Sequence, residues 1–380
     1  MSLMAKELLK MVKKQSKDTA NTPASKPQKT AEAQPISTDD EEIKDIFLRT
    51  RPTIKIIGCG GAGCNTITRC VEEGIVGADM YAINTDAQHL LTVHAPTKML
   101  IGRRQTKGLG AGSNPNVGEG AAKENEEEIR NSLSGADMVF ITAGMGGGTG
   151  TGSSPATARI SKFLGALTLA IVTTPFPGEG VVRMQNAIWG INRLKEEADT
   201  VIVVPNSKLL EVVPRLPLNA AFRVADEVLM NSIKGITEMV TKVGLVNLDF
   251  NDLKTVMKSG GTAVIGMGTA SDSPNKAREA VNDALNSPML DIDVTEANGA
   301  LVCVFGGRDM TVKEAENVAG EIHDRIGENA TIIWGAYIDE RLENKLKVML
   351  VLTGVKLKHS DLTGGVASVS GGGLGLDFIK

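Results

Sequence analysis

Three glycine-rich stretches carry the most evident chemistry of this 380-residue chain: GCGGAGCN (58–65), GLGAGSNPNVGEG (108–120) and GMGGGTGTG (144–152). Where side chains are missing, successive backbone amides can turn inward and approach anionic oxygens. The third stretch follows an apolar run and leads into a helix expected from about Pro155, so a helix N-terminus would stand behind the anion. Thr149 and Thr151 add hydroxyl donors. No lysine stands where G-x-x-x-x-G-K-[ST] puts one, so a phosphate cradle here must work through amides. A plain linker would not sit between a buried strand and a helix.

Gly58, Gly60 and Gly63 satisfy G-x-G-x-x-G, and Asp86 follows ~20 residues on, where a ribose-binding acid is expected. Alone, that loop predicts a dinucleotide site, and an NAD(P)-dependent oxidoreductase is one reading of it. One pyrophosphate needs one such loop. Three converging loops predict a longer chain of phosphates.

The elements that must position these loops repeat as strand, glycine turn and helix. TIKIIG, ADMYAIN, GADMVFITAG, ALTLAIVTTPF and DTVIVVPN are apolar runs of strand length separated by helical patterns. They predict an α/β fold with a doubly wound, mainly parallel sheet, whose ligands lie beyond the carboxyl ends of the strands. This nucleotide-binding domain is placed at 41–218. A long central helix follows at 219–243. Phe222, Val224, Ala225, Val228, Leu229, Ile233, Ile236, Met239 and Val240 make it apolar on more than one face, so it should be buried between two bodies. TAVIGMGTA, GALVCVFGG, ATIIWGAYID and KLKVMLVLTGV then mark a smaller α/β domain at 244–356.

The ends read differently. Residues 1–40 have almost nothing to bury and are expected to be disordered. Leu8, Leu9, Met11 and Val12 lie among lysines there, as a short amphipathic helix for a membrane surface or a partner, or as a frayed terminus. A helix start is expected at TDDEEIKDIFL, capped by Thr38 or Asp39, with Ile43, Ile46 and Phe47 on one face. The tail 357–380 is a Gly/Ser tether closed by GLDFIK, in which Leu376 and Phe378 suit a partner's groove. A net charge of −4 and 3% aromatic residues argue against a nucleic-acid binder. Cys59, Cys64, Cys70 and Cys303 form no C-x-x-C pair, so no metal site is expected and a reduced, cytoplasmic setting is.

GGGTGTG, preceded by GCGGAGCN and INTDAQ and followed by PFPGEGVVR, PNSKLL, AFRVADEVL and NLDFNDLKTVM, resembles the FtsZ family of prokaryotic tubulin relatives, archaeal type. The resemblance covers about 50 to 356, in order and spacing. It implies a GTPase that polymerises head to tail and forms a cytokinetic ring at mid-cell, with Mg²⁺ on the phosphates of GTP or GDP. Gly61, Ala62, Gly63, Cys64 and Asn65 would then form the first nucleotide loop. Ala62 and Cys64 stand where many relatives have glycine, which matters if the position needs φ > 0. Gly110, Ala111 and Gly112 would reach the terminal phosphate, and Gly146, Gly147, Gly148, Thr149 and Gly150 would hold the α- and β-phosphates. Glu179 and Arg183 would lie on the ribose side, where an i,i+4 ion pair is the simpler reading. Asn206, Phe222 and Asp226 would form the base pocket: a stacking face, and a carboxylate that can accept from guanine N1 and N2 hydrogens. The tail would dock on a membrane adaptor of the SepF type. A tubulin-like filament protein not used in division would share every nucleotide residue named.

These loops contain no catalytic acid or base. GLVNLDFNDLKTVM offers Asn247, Asp249 and Asp252 to orient a water, unless Asp252 only caps the next helix. A helix rises ~1.5 Å per residue, so Asp226 and the acidic loop should be roughly 25 Å apart. The catalytic loop is therefore expected from a neighbouring subunit.

Overall fold

IKIIGC, residues Ile54–Cys59, is buried at every position and forms the first strand, β1. A strand apolar on both faces needs covering on both. The computed structural model describes residues 51–355 apart from 213–216, 243, 259, 272, 291 and 328–329. The segment 1–50 and the tail with Leu376 and Phe378 lie outside the described residues. β2 (Ala78–Asn84), β3 (Thr97–Leu100), β4 (Met138–Gly144), β5 (Leu167–Thr174) and β6 (Thr200–Pro205) join β1 in a parallel sheet of order β3-β2-β1-β4-β5-β6. The principal helices of this half are α1 (Gly60–Glu72), α2 (Pro115–Glu124), α3 (Thr149–Phe163) and α4 (Val181–Glu197).

The central helix, α5, runs Leu218–Thr241. Then come α6 (Phe250–Lys258), β7 (Gly261–Ser271), α7 (Lys276–Leu285), β8 (Gly299–Gly306), α8 (Val312–His323), β9 (Thr331–Ile338) and β10 (Lys345–Thr353). β7 pairs antiparallel with β10, β10 antiparallel with β8, and β8 parallel with β9. The two halves are joined by more than a helix. Thr200, Val201 and Ile202 of β6 pair with Gly261, Thr262 and Ala263 of β7, so one ten-stranded sheet runs through both. The seam is only those three pairs long, and the Thr200 hydroxyl donates to Met257 O beside it.

α5 packs on both halves, which is why its apolar surface exceeds one face. Val224, Val228, Ile233, Ile236 and Met239 share one continuous core with Ile54, Ile171 and Ile202 before them and with Met267, Leu301, Phe305 and Met349 after them. A polar cluster stands at the edge of this contact. Glu73, just past α1, accepts from Lys234 Nζ of α5 at 2.7 Å and from Arg341 Nη1 of the second half at 2.8 Å. Arg341 also pairs with Asp339 at 2.9 Å. Burial alone would raise the Glu73 carboxyl, but the bonds from Lys234 and Arg341 hold it below its usual value.

Two local expectations are corrected. The helix after the third glycine stretch begins at Thr149, and Pro155 lies inside it rather than at its start. The segment 108–120 is a loop only to Asn114, whose side chain accepts from Asn116 N–H and starts α2 at Pro115.

Candidate functional site

The carboxyl ends of β1, β4, β5 and β6 open into a cavity of about 400 Å³. Residues from all three glycine stretches line it: Gly61 and Ala62, Gly110 and Ala111, and Gly147 to Gly150. The convergence is tight. Gly60 turns the chain at φ +71°, and a Cβ there would stand 2.6 Å from Gly150 N, so the first and third loops touch through bare backbone. α1 and α3 both begin at this junction without a side-chain cap, and the first N–H groups of a helix have no intrahelical partner. Helix N-termini favour anions by both amide geometry and dipole. Two such ends and the loop 108–113 make an anion cradle without lysine.

Ala62 and Cys64 lie inside α1 at negative φ, so the absence of glycine costs nothing at either place. Gly63, Cys64, Asn65, Gly112 and Gly146 are not on the cavity wall but beside or behind it. The Cys64 thiol is buried and turned to Gly58 O and Ile83 O, and burial raises its pKa well above the thiol range. Thr151 also differs from expectation. Its hydroxyl is buried, accepts from Gly146 N–H at 2.9 Å and braces the loop from within instead of facing a ligand. Thr149 does line the cavity, and its hydroxyl shares a 2.6 Å bond with that of Thr85.

Asn84, Asp86 and His89 line the cavity too, and of these the sequence pointed only to Asp86. Asp86 caps the short helix Ala87–Thr92 by accepting from His89 N–H at 2.9 Å. Asn84 Oδ1 accepts from Thr85 N–H, so its amide group must face His89 Nδ1 at 3.2 Å. That leaves the histidine proton on Nε2, donated to Asn65 Oδ1 at 3.2 Å. Asn65 thus belongs to an Asn–His–Asn chain that ties α1 to the loop after β2.

The other end of the cavity suits a planar base. Phe222 of α5 is 40% exposed and stands edge-on to Phe176, with ring centroids 5.1 Å apart, so it is not core packing. Asp226 lies one turn further along the same helix. Burial pushes its carboxyl up to about 7, against the pull of Arg69 and with a further push from Glu227. Asn206 Oδ1 and Thr174 Oγ1 are buried without a hydrogen-bond partner, and both residues line the cavity. Buried orphan acceptors are costly, and a ligand with N–H donors would satisfy them. Glu179 and Arg183 form the i,i+4 ion pair, at 2.6 Å, and line the cavity as well.

The acidic loop is elsewhere. Asn247, Asp249 and Asp252 are all exposed, and Asn247 and Asp249 border a separate cavity of about 310 Å³ walled by Met239 to Lys242 at the far end of α5. From Asp226 to Thr241 the helix alone spans roughly 23 Å. Asn247 Oδ1 accepts from Gly244 N–H at 2.6 Å, and Val246 bridges to Ala336, which fixes the loop on the second half. Asp249, not Asp252, caps α6: its Oδ1 accepts from Asn251 N–H at 3.0 Å. Asn247 and Asp249 are thus fixed just before α6, with Asp252 in its first turn, and all three lie away from the cradle of their own chain. Exposed apolar side chains mark both ends, with Leu109, Val181, Val182 and Phe222 near the cradle and Leu245 in the acidic loop.

Comparison with known proteins agrees with this geometry. Residues 53–214 match the family model described as Tubulin/FtsZ family, GTPase domain, and residues 261–356 match FtsZ family, C-terminal domain. Cell division protein FtsZ 1 of Methanocaldococcus jannaschii is 56% identical over 84% of this chain and 88% of its own length. Cell division protein FtsZ 1 of Halobacterium salinarum is 54% identical over 90% of this chain and 86% of its own. Among solved structures, an empty FtsZ dimer of M. jannaschii superposes with a TM-score of 0.80 at 56% identity, covering 84% of this chain and 92% of that one. CetZ2 of Haloferax volcanii, a GTPγS-bound protofilament, has a TM-score of 0.72 at 22% identity over 82% of this chain and 97% of that one, a likeness of fold alone.

Proposed function

Because the chain belongs to the FtsZ family, we propose that its two distant sites are halves of one GTPase centre, completed when one subunit's acidic loop meets the next subunit's phosphate cradle. The protein is a GTP-binding and GTP-hydrolysing cytoskeletal protein of cell division, and it associates with itself. One observation carries the shared-site reading: the cradle and the exposed Asp249 lie at opposite ends of α5. A contact between two different faces repeats from subunit to subunit, and without a closing rotation it propagates as a filament.

The roles follow from the chemistry. Amides of Gly147 to Gly150 and of the first turn of α1 hold the α- and β-phosphates. Gly110 and Ala111 reach the terminal one. Phe222 offers a face to guanine, and ionised Asp226 accepts from its N1 and N2 hydrogens. Mg²⁺ bound with the nucleotide supplies charge neutralisation on the phosphates. Of the carboxylates on the cavity wall, Asp86 is engaged as a helix cap and Glu179 as an ion-pair partner, while Asp226 serves the base, so these side chains would leave most of the hold on such an ion to the nucleotide. Asn247, Asp249 and Asp252 of the neighbour position the attacking water; hydrolysis needs that placement more than covalent help. An oxidoreductase would leave the second and third loops without a role, although all three share one cavity. The filament supports the cytokinetic ring at the mid-cell division site, attached through Leu376 and Phe378 to a membrane adaptor of the SepF type.

The test is GTP turnover per subunit against protein concentration, with electron microscopy of the same samples. Specific activity should climb steeply where filaments form in GTP. A flat value from well below to well above that range would reject the shared site.

A further inference from the structure

Asn186 belongs to no motif in the sequence and to none of the site residues above, yet it joins two of the phosphate loops. It lies half-buried in the second turn of α4. Its Nδ2 donates to Ser113 O at 3.0 Å and to Gly146 O at 3.3 Å. One amide nitrogen carries two hydrogens, so it can serve both carbonyls at once. Two acceptors facing the same atom also fix which end of the amide points at them.

The two carbonyls come from different loops. Ser113 closes the stretch 108–113, whose Gly110 and Ala111 line the cradle, and Gly146 opens the stretch 146–150. A trans peptide sets its C=O and the following N–H on opposite sides. Turning Gly146 O toward Asn186 therefore turns Gly147 N–H away from it, on the residue that lines the cavity. Among the described residues, no intrachain acceptor takes that N–H. The first of the two loops is also held in an uncommon conformation. Gly110, Gly112 and Ser113 have φ of +85°, +58° and +57°. Glycine adopts that region freely, whereas serine, with a Cβ, resists it. A strained residue whose carbonyl is clamped from another element is held there by the clamp.

We propose that Asn186 is a positioning residue that staples the terminal-phosphate loop to the α,β-phosphate loop and thereby sets the preference for a nucleoside triphosphate over a diphosphate. The proposal rests on the reading of this cavity as the GTP site. A diphosphate needs the Gly146 side of the staple and little of the Ser113 side. A triphosphate needs both loops in place together.

The experiment compares GTP and GDP affinities of the full chain, by displacement of a fluorescent guanine nucleotide below the assembly range, with thermal unfolding alongside. Asn186→Ala should lower GTP affinity by about tenfold, the scale of one lost hydrogen bond, and GDP affinity by less than about threefold. Asn186→Asp keeps the shape but sets an acceptor against two acceptors, and should lower GTP affinity further. Ser113→Gly added to Asn186→Ala should recover much of the loss, because glycine takes the loop's conformation without a clamp. Equal losses for GTP and GDP, unchanged affinities, or no recovery with Ser113→Gly would overturn the staple. A wild-type chain that binds neither nucleotide would instead reject the GTP reading beneath it.

Discussion

The two ends of α5 solve different problems with different material. At the cradle end the groups proposed to hold the phosphates are mostly backbone amides, and the structure spends its detail on holding that backbone still. Gly60 packs on Gly150, Thr85 bonds Thr149, Thr151 braces Gly146, and His89 links Asn84 to Asn65. At the acidic end the groups proposed to position water are side chains, all exposed, on a loop tied down by Asn247 and the Val246–Ala336 bridge and on the first turn of α6. On the proposed reading, affinity is built at one end and the groups that position water are presented at the other. A backbone site must be complete before the ligand arrives, because amides cannot reorient cheaply. A side-chain site can wait on the surface for a partner to desolvate it.

The strongest way to break this contrast is Asp249→Ala. Turnover should fall by roughly 10²- to 10⁴-fold, the scale of a lost water-positioning group, with GTP affinity within about twofold of wild type. Weakened binding would place Asp249 at its own chain's nucleotide. Mixing that variant with Asp226→Ala sharpens the point: the pocket of one and the loop of the other can form working junctions, so the mixture should exceed both parents in GTPase assays.

Gly60→Ala tests the cradle's rigidity. The new Cβ would meet Gly150 N at a φ that alanine disfavours, and the expected loss is about 2 kcal/mol in thermal unfolding together with weaker GTP binding. A variant of normal stability and affinity would show that the loops can part without cost.

Next in size is the pH response of the base pocket. In the proposed base pocket guanine would need Asp226 ionised, and burial raises its carboxyl to about 7. GTP affinity should therefore rise about tenfold from pH 6 to pH 8, with proton release on binding near pH 6.5 seen by calorimetry in buffers of different ionisation heat. Without nucleotide the same raised value acts oppositely. The folded state keeps a proton that the unfolded chain gives up near 3.8, so this group's contribution to stability falls as pH rises from about 4 to 7. Asp226→Asn should flatten both trends.

The smallest effect belongs to the cluster that bridges the halves. Arg341→Ala should cost only about 0.5–1 kcal/mol, since both partners of its bond to Glu73 are partly exposed. Glu73 is held below its usual 4.5, so its contribution is present above that pH and is lost as pH falls below it. A wild-type minus Arg341→Ala difference in stability that persisted at pH 3 would show that packing, not charge, holds this contact.

The strand–helix alternation, the central helix and the three loops were legible because they are local: apolar runs, glycine turns and a helix apolar on more than one face. What escaped was set by long-range contact. Glycine and proline argue against helix in Thr149–Phe163, so Pro155 read as a start. Packing overrides that propensity, since a Cβ on Gly152 would collide with Pro115 O of α2. Asn186 looks like any polar residue of a surface helix until the fold brings it to Ser113 and Gly146, 73 and 40 residues away. The β6–β7 seam left no pattern because three pairs at the ends of two strands have no periodicity of their own.

That seam bears on how the chain is made. By residue 205 the first six strands have every parallel partner they need except the short edge contact with β7. The residues from 206 to 355 take roughly 8–30 s more to synthesise at 5–20 residues per second. α5 is made in that interval, after the strands of the first half and before those of the second. The side of α5 meant for Met267, Leu301, Phe305 and Met349 stays uncovered until their strands follow. The central helix therefore has the apolar side that waits longest for its cover on a nascent chain, since β7, β8 and β10 all follow it in sequence.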